Sequence, residues 1–202
     1  MEEQLDIFDG QMRRIGTAPR SEVHARGLLH QVVHCWIAGE TEPVLYFQQR
    51  AHTKRDFPDF YDLACGGHIG AGEQPDTAVV REIREETGLR VTREQLTALG
   101  QYRAPDLRLP DFFDRETSNV YVLRQDAPQF APGEEVSRMI CVRAEDFRRM
   151  EQEGAAFVHA ADMDGTQFVI SRENWCCHDG EFAALVLPYL QRVFPELSAG
   201  GD

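Results

Sequence analysis

Lysine is almost absent from this chain of 202 residues: Lys54 is the only one, and arginine supplies the rest of the 21 basic side chains. The 34 acidic side chains outnumber the basic ones, so the formal net charge is −13. Because bulk nucleic acid is bound through an excess of basic groups, this balance argues against it as a partner. An anionic small molecule would need bound metal ions and local arginines to hold it.

Long apolar runs are missing as well. No stretch approaches the roughly 20 apolar residues of a membrane-spanning helix. The acidic start Met1-Glu2-Glu3 is unlike a secretory signal. We therefore expect a cytoplasmic protein without a membrane partner, and we keep a homodimer open.

Cysteine is sparse and scattered, with an odd number of five: Cys35, Cys65, Cys141, Cys176 and Cys177. This pattern predicts free thiols and not a disulfide framework. The run from Cys176 to His178 has no second ligand pair at zinc spacing, so we interpret it as coincidence.

The remaining composition, 42% hydrophobic and 27% charged, is typical of a globular domain with a proper core. Side-chain periodicity predicts an N-terminal hairpin around residues 5–8 and Ile15, and strands at 28–37, 44–49, 96–103, 120–123 and 139–142. It predicts helices at 21–24, 74–87, 144–153 and 181–194, and a loop at 105–114. We predict one domain over 1–202, with an N-terminal extension (1–27), a core (28–143) and a C-terminal helical part (144–202) whose last residues, 198–202, are mobile.

The most informative segment covers residues 67–89 and reads GHIGAGEQPDTAVVREIREETGL. It fits the pattern G-x5-E-x7-R-E-U-x-E-E-x-G-U, in which U is a bulky aliphatic residue, at every fixed position. The matching residues are Gly67, Glu73, Arg81, Glu82, Ile83, Glu85, Glu86, Gly88 and Leu89. Pro75 suits the first turn of the predicted helix, and Gly88 suits a left-handed cap that ends it.

The spacing of three glutamates concentrates negative charge on this helix. Glu82, Glu85 and Glu86 lie at i, i+3 and i+4, so their carboxylates leave one face. They repel one another unless cations lie between them, and all-oxygen ligands favour Mg²⁺ or Mn²⁺ over zinc. Arg81 can pair with Glu73 or Glu85, and the glycines before the helix let the backbone approach a metal or phosphate. A solvated acidic helix is the ordinary alternative, which the glycine loop and the offset of Glu73 disfavour.

This segment resembles the Nudix box, the defining motif of the Nudix hydrolases. The resemblance implies an α/β fold, an α/β/α sandwich around a mixed β-sheet, here with an N-terminal hairpin and C-terminal helices. It implies a pyrophosphatase-type enzyme that hydrolyses a nucleoside diphosphate derivative or a related organic diphosphate. The expected Mg²⁺ or Mn²⁺ ligands are Glu82, Glu85, Glu86 and the Gly67 carbonyl, and Arg81 and Glu73 orient them. In this family a later loop can supply another glutamate, so Glu135 is either a ligand or general base, or part of a solvated pair.

Residues 5–37 and 49–69 are similar to the isopentenyl-diphosphate isomerase-like branch of the family. Its two diphosphate-binding basic residues correspond to Arg50 and Lys54, and His68 is a further candidate substrate contact. A histidine ligand of that branch resembles His30, whereas a second, near His24, is out of register by one residue. We interpret His34 as structural.

Two departures disfavour the isomerase reaction itself. The C-G-G-H run that begins at Cys65 has one extra glycine, so we expect a small buried thiol there and not a reactive one. The branch also needs a glutamate pair on a later strand, where Asn119 stands and Glu116 lies too early. Isomerisation requires proton transfer at opposite faces of an alkene. The isomerase and a non-catalytic Nudix ligand-binding module remain the alternatives, although the intact box speaks against the module.

Overall fold

A nine-stranded mixed sheet forms the centre of the computed structural model, which describes residues 2–54, 56–110, 112–176, 178 and 180–198. The strands are β1 (Gln4–Phe8), β2 (Arg14–Pro19), β3 (His30–Ala38), β4 (Val44–Arg50), β5 (Tyr61–Leu63), β6 (Cys65–His68), β7 (Leu96–Arg103), β8 (Leu107–Leu109), β9 (Phe112–Asp114), β10 (Glu116–Arg124), β11 (Val136–Arg143), β12 (Phe157–Asp162) and β13 (Gln167–Ser171). The main order is β13-β12-β11-β4-β3-β10-β7, with β5 beside β4 and β6 beside β3. Strands β3 and β10 run parallel, and the other pairs are antiparallel.

The helices are α1 (Arg20–Arg26), α2 (Pro75–Glu82), α3 (Ala144–Glu153) and α4 (Leu187–Val193). A π-helical turn (Ile83–Thr87) continues α2, a second one (Phe182–Val186) leads into α4, and short 3-10 turns occur at Arg93–Gln95, Arg172–Asn174 and Pro195–Ser198. Among the described residues, no helix is long and apolar enough to cross a membrane.

Helices cover both faces of the sheet. On one face, Val79 and Ile83 from α2 and its π-helical turn pack in a fully buried cluster with residues of β3 and β10. On the other, Phe147, Met150 and Phe182 from α3 and the C-terminal helix pack in a second cluster. The predicted α/β/α sandwich is therefore confirmed, as are the N-terminal hairpin of β1 and β2 and the C-terminal helices.

The end of the box helix departs from the regular α-helix predicted over 74–87. Its last turn is π-helical and ends at Gly88, whose φ of 74° is left-handed as expected. This turn carries Glu85, whose side chain is 59% exposed, and Glu86, which is buried. Single π-helical turns of this kind are common at functional sites.

Two expectations are wrong. Residues 144–202 are not purely helical, because β12 and β13 pair with each other and extend the sheet from β11. Both strands are short, β13 is the edge strand, and exposed Phe157 and Val169 obscure the apolar alternation that normally reveals a strand. Residues 105–114 are not a plain loop, because β8 and β9 form a hairpin there. The predictions for Cys177 and for residues 199–202 lie outside the described residues.

Two glycines with the same backbone conformation test how tightly the box helix is capped. Gly72 and Gly88 have φ values of 76° and 74°, but a Cβ at Gly88 would lie 2.3 Å from the Ala131 carbonyl oxygen, whereas one at Gly72 meets nothing within 4 Å. We expect Gly72→Ala to lower the free energy of unfolding by about 1 kcal/mol, from the left-handed backbone alone. Gly88→Ala should cost about 2 kcal/mol more, because backbone must move. Chemical denaturation measures both, and equal losses would contradict the packing.

Candidate active site

A cavity of about 560 Å³ is surrounded by the box helix, β6, the β8–β9 hairpin, and Cys176 and His178. All the side chains predicted for the site line it, namely Glu82, Glu85, Glu86, Arg81, Glu135, Arg50, Lys54 and His68, together with Gly67. The lining also includes His24, His34, Asp62, Asp114, Glu116 and His178. Apolar residues of the hairpin, Leu107, Leu109 and Phe112, form another part of the wall.

The buried box carboxylates lie against the glycines of β6. One oxygen of Glu86 accepts hydrogen bonds from the Gly66 backbone N–H at 2.9 Å and from Gln48 Nε2 at 3.1 Å. A Cβ at Gly67 would lie 2.2 Å from the carboxyl carbon of Glu82, so only glycine leaves room for that carboxylate. Both box carboxylates thus lie close to the β6 backbone, whereas the approach of a metal or phosphate to the glycines before the helix stays a prediction.

Arg81 ties this part of the site together. Its guanidinium donates two hydrogen bonds to Glu73, at 2.9 and 3.0 Å, and others to Glu82 at 2.6 Å and to Glu85 at 3.2 Å. A further hydrogen bond of 3.0 Å reaches the His68 carbonyl. The predicted pairing with Glu73 and Glu85 is confirmed, and Arg81 also holds Glu82, which the sequence did not indicate.

Burial sets the protonation of the two inner carboxylates. It raises the pKa of Glu82 to about 7, against the opposing charge of Arg81, and the pKa of Glu86 to about 8, against the Gly66 hydrogen bond. Proximity of the acids to one another adds to both shifts. A cation would relieve the cost of ionising them, so the donor set fits a hard divalent ion.

A second group of possible metal ligands lies at the same cavity, which every member except His30 lines. Ring nitrogens of His24, His30 and His68 lie within 4.8 Å of one another, as do ligand atoms of His30, Asp114 and Glu116. Buried His30 Nε2 and Asp114 Oδ1 have no hydrogen-bond partner and are 3.6 Å apart. Burial lowers the pKa of His30 to about 4, so its ring is neutral and able to bind a metal. These unsatisfied atoms fit a metal ion better than they fit one another.

The sequence missed most of this second group. His24 belongs to it although its spacing is off by one residue, because α1 ends at left-handed Gly27 and turns back toward β3. The only available signal was the pair of histidines before β3 together with His68 beside the box. His34 is buried as expected, but it also lines the cavity.

The expectation for β10 and its neighbour is wrong. The Asn119 side chain is buried in hydrogen bonds with Gln101, Gln31 and the Val32 carbonyl, away from the cavity lining. Glu116 does not lie too early, because it and Asp114 both face the cavity. The β8–β9 hairpin produces this arrangement by delivering Asp114 directly before β10. The site therefore has two carboxylates here.

The basic residues Arg50 and Lys54 line the same cavity. Arg50 pairs with Asp62 at 3.1 Å, and Lys54 forms a close ion pair with Glu135. That pairing lowers the pKa of Glu135, so its carboxylate is charged at neutral pH. The predicted phosphate contacts are thus held by acids at the wall, and Glu135 is neither free nor distant from the site.

Cys65 is fully buried, as predicted. Burial raises its pKa well above the usual range, with the Glu86 carboxylate adding to the shift, so the thiol is not a ready acid or nucleophile. Cys65 on β6 lies opposite Cys35 on β3 in the strand register, and both cysteines are free thiols.

Known proteins resemble this chain in sequence and in fold. Residues 28–161 match the NUDIX domain. An uncharacterized Nudix hydrolase of Clostridium acetobutylicum is 34% identical over 128 residues, 62% of this chain and 61% of that protein. An isopentenyl-diphosphate Delta-isomerase of Serratia proteamaculans is 32% identical over 136 residues, 66% of this chain and 73% of that protein. A crystal structure from Deinococcus radiodurans superposes with a TM-score of 0.50 at 21% identity, covering 66% of this chain and 78% of the other.

The chain belongs to the Nudix family, because the NUDIX domain match covers well over half of it. The box resemblance is confirmed, and the relatives named as isomerases agree with the flanking motifs. The Deinococcus superposition shows the fold alone. This chain spans about three fifths of the length of the Clostridium protein.

Divalent ions and protons should compete at Glu82 and Glu86. Because their folded pKa values are raised, the metal-free protein loses stability as pH rises from about 4.5 to about 8, and bound metal reverses that loss. Saturating Mg²⁺ or Mn²⁺ should raise Tm by about 5–10 °C at about pH 8.5 and by much less at about pH 5.5. Differential scanning fluorimetry measures this. The Tm shift should shrink in Glu86→Gln, and a shift of equal size at both pH values would contradict the site.

Proposed function

We propose that this protein is a metal-dependent hydrolase that cleaves the phosphoanhydride bond of a nucleoside diphosphate derivative or a related organic diphosphate. One observation carries the proposal: buried Glu82, held by Arg81, and buried Glu86, held by the Gly66 N–H, line one cavity together with Arg50 and Lys54. Anionic groups that need a cation thus share one cavity with cationic groups that suit a phosphate. Nudix hydrolases generally use divalent metal ions, which supports this division of roles.

Glu82, Glu85, Glu86 and the Gly67 carbonyl would hold Mg²⁺ or Mn²⁺, and the fit rests on the raised pKa values and the space that Gly67 leaves for Glu82. Bound there, the ion would neutralise the diphosphate and favour attack on phosphorus. The histidine and carboxylate group around His30 would hold a second ion.

The chain's own residues account for the other steps. Arg50 and Lys54 bind the distal phosphate, and Arg81 with Glu73 keeps the box carboxylates in place. Water forms a new bond to one phosphorus, the bridging P–O bond breaks, and a glutamate accepts the proton from water. The base is a glutamate of the box or Glu135, and the Glu135 carboxylate is ionised at neutral pH because pairing with Lys54 lowers its pKa.

The cavity wall bears on the substrate class. The hairpin contributes the apolar side chains of Leu107, Leu109 and Phe112. These side chains suit an apolar group on the substrate, which a related organic diphosphate can carry. The single-domain organisation, a cytoplasmic location and a homodimer stay predictions.

Turnover should depend on the buried box carboxylate. Glu86→Gln keeps the shape and removes the charge, so kcat should fall at least about a hundredfold, on the order of 3 kcal/mol of transition-state stabilisation. Exposed Glu94, away from the cavity lining, gives the matched control Glu94→Gln, which should retain wild-type kcat. Phosphate release from a panel of diphosphates with Mg²⁺ measures both. Unchanged turnover in Glu86→Gln would remove the box from the mechanism.

The isomerase is the second candidate, favoured by the presence of Asp114 and Glu116 beside the histidines. Burial of Cys65 opposes it. Incubated with isopentenyl diphosphate and Mg²⁺, the protein should form no dimethylallyl diphosphate, and Cys65→Ala should leave hydrolysis within about threefold of wild type, because the thiol only packs. Chromatography of the diphosphates tests this. Isomer formation that Cys65→Ala abolishes would overturn the hydrolase assignment.

A further inference from the structure

Cys176 and His178 lie beyond the residues that match the NUDIX domain, yet both line the cavity. His178 lines the cavity, and Glu181, which is 1% exposed, contacts His34 in the same lining. Neither residue belongs to the box or to the flanking motifs. Their contacts join the C-terminal segment to β3 and β5.

Both carboxylate oxygens of Glu181 are engaged. One accepts a hydrogen bond from His34 Nδ1 at 2.8 Å, and the other accepts one from Trp36 Nε1 at 2.9 Å. The His34 ring is fixed by this contact, and its edge packs against the His178 ring at a centroid distance of 4.8 Å. Glu181 thereby fixes the His34 ring, against which the His178 ring packs.

His178 continues the chain of contacts toward the phosphate-binding side. Its Nε2 donates to Asp62 Oδ1 at 2.6 Å, and Asp62 Oδ2 accepts from Arg50 at 3.1 Å. Two further Arg50 donors, on Nη2 and Nε, reach the Asp56 carbonyl at 3.0 and 3.2 Å. Burial disfavours the Asp62 carboxylate, but His178 and Arg50 outweigh that effect and lower its pKa. The Arg50 guanidinium is therefore held in a single orientation.

Stability alone does not explain this arrangement. Burying charged groups costs desolvation free energy that a close pair only partly offsets, and well-packed apolar side chains of similar size are often as stable. Here Asp62 and Glu181 are both buried, beside the apolar cluster that contains Trp36, Trp175 and Phe182. What the charged groups add is a chain of directed contacts that fixes the orientation of Arg50.

We propose that His178 and Glu181 are positioning residues that make the C-terminal segment part of the diphosphate site. His178 holds Arg50, through Asp62, in the orientation that grips the distal phosphate. Glu181 holds His34 against the His178 ring. This inference rests on the proposed function, because it takes Arg50 as a phosphate contact.

Isothermal titration calorimetry with methylenediphosphonate and Mg²⁺ tests the inference on the full chain without turnover. His178→Asn shortens the side chain and loses the contact with Asp62, so Kd should rise about tenfold, the size of one charge-assisted hydrogen bond. His178→Gln places an amide N–H where Nε2 lies, and it should stay within about threefold of wild type. The control variant His159→Asn changes an exposed histidine of β12 that lies outside the cavity lining, and this variant should bind methylenediphosphonate as the wild type does.

A double-variant cycle shows whether the effect passes through Arg50. Added to Arg50→Ala, His178→Asn should weaken binding no further, because its partner is already gone. Glu181→Gln should weaken binding in the wild-type background and not in His178→Asn. On a hydrolysed substrate, His178→Asn should raise KM and leave kcat within about threefold, as expected for lost binding of ground and transition state alike.

The outcomes separate the two proposals. A wild-type protein that binds no methylenediphosphonate contradicts the proposed function. Binding by wild type and equally by His178→Asn, or an additive loss in the Arg50→Ala background, contradicts the positioning role. If circular dichroism shows that His178→Asn does not fold, His178→Gln decides. A tenfold loss of methylenediphosphonate affinity in that variant, despite the retained donor, would overturn the inference.

Discussion

The guanidinium of Arg81 is the contact on which the site depends. It binds Glu73, Glu82, Glu85 and the His68 carbonyl at once, so one cation joins the box helix to the strand and loop that precede it. Without it, the buried Glu82 carboxylate would face Glu86 with no fixed positive charge nearby. The planar fork of arginine, with five donors, suits this task in a way that lysine does not.

Sequence reasoning succeeded where function is written in consecutive residues. The box fixed the helix, its left-handed cap at Gly88, the Arg81 pairs and the glycine at position 67, because each follows from spacing within one turn or one loop. The α/β/α sandwich followed from strongly apolar strands around that helix. Local periodicity was sufficient for these features.

It failed where the site is assembled from distant segments. His24, His30, His68, Asp114 and Glu116 come from five elements or their edges, and no spacing in the chain relates them. The prediction made for the glutamate-bearing strand was wrong, because the short β8–β9 hairpin changes which residues face the cavity. Three-residue strands have too little alternation to be predicted. The π-helical turn was equally invisible, since the residue pattern of 74–87 fits a regular α-helix.

The cavity thus combines carboxylates, a histidine group and basic side chains within one enclosure. Hydrolysis of a diphosphate is the reaction that uses the carboxylates and the basic side chains together. Cleavage of diphosphates in ¹⁸O-labelled water, followed by mass spectrometry, tests this most directly. We predict a substrate whose cleavage needs Mg²⁺ or Mn²⁺ and places one ¹⁸O in a single phosphate-containing product. Cleavage that persists undiminished in EDTA, or no cleavage of any diphosphate by a protein that binds divalent ions, would contradict the account.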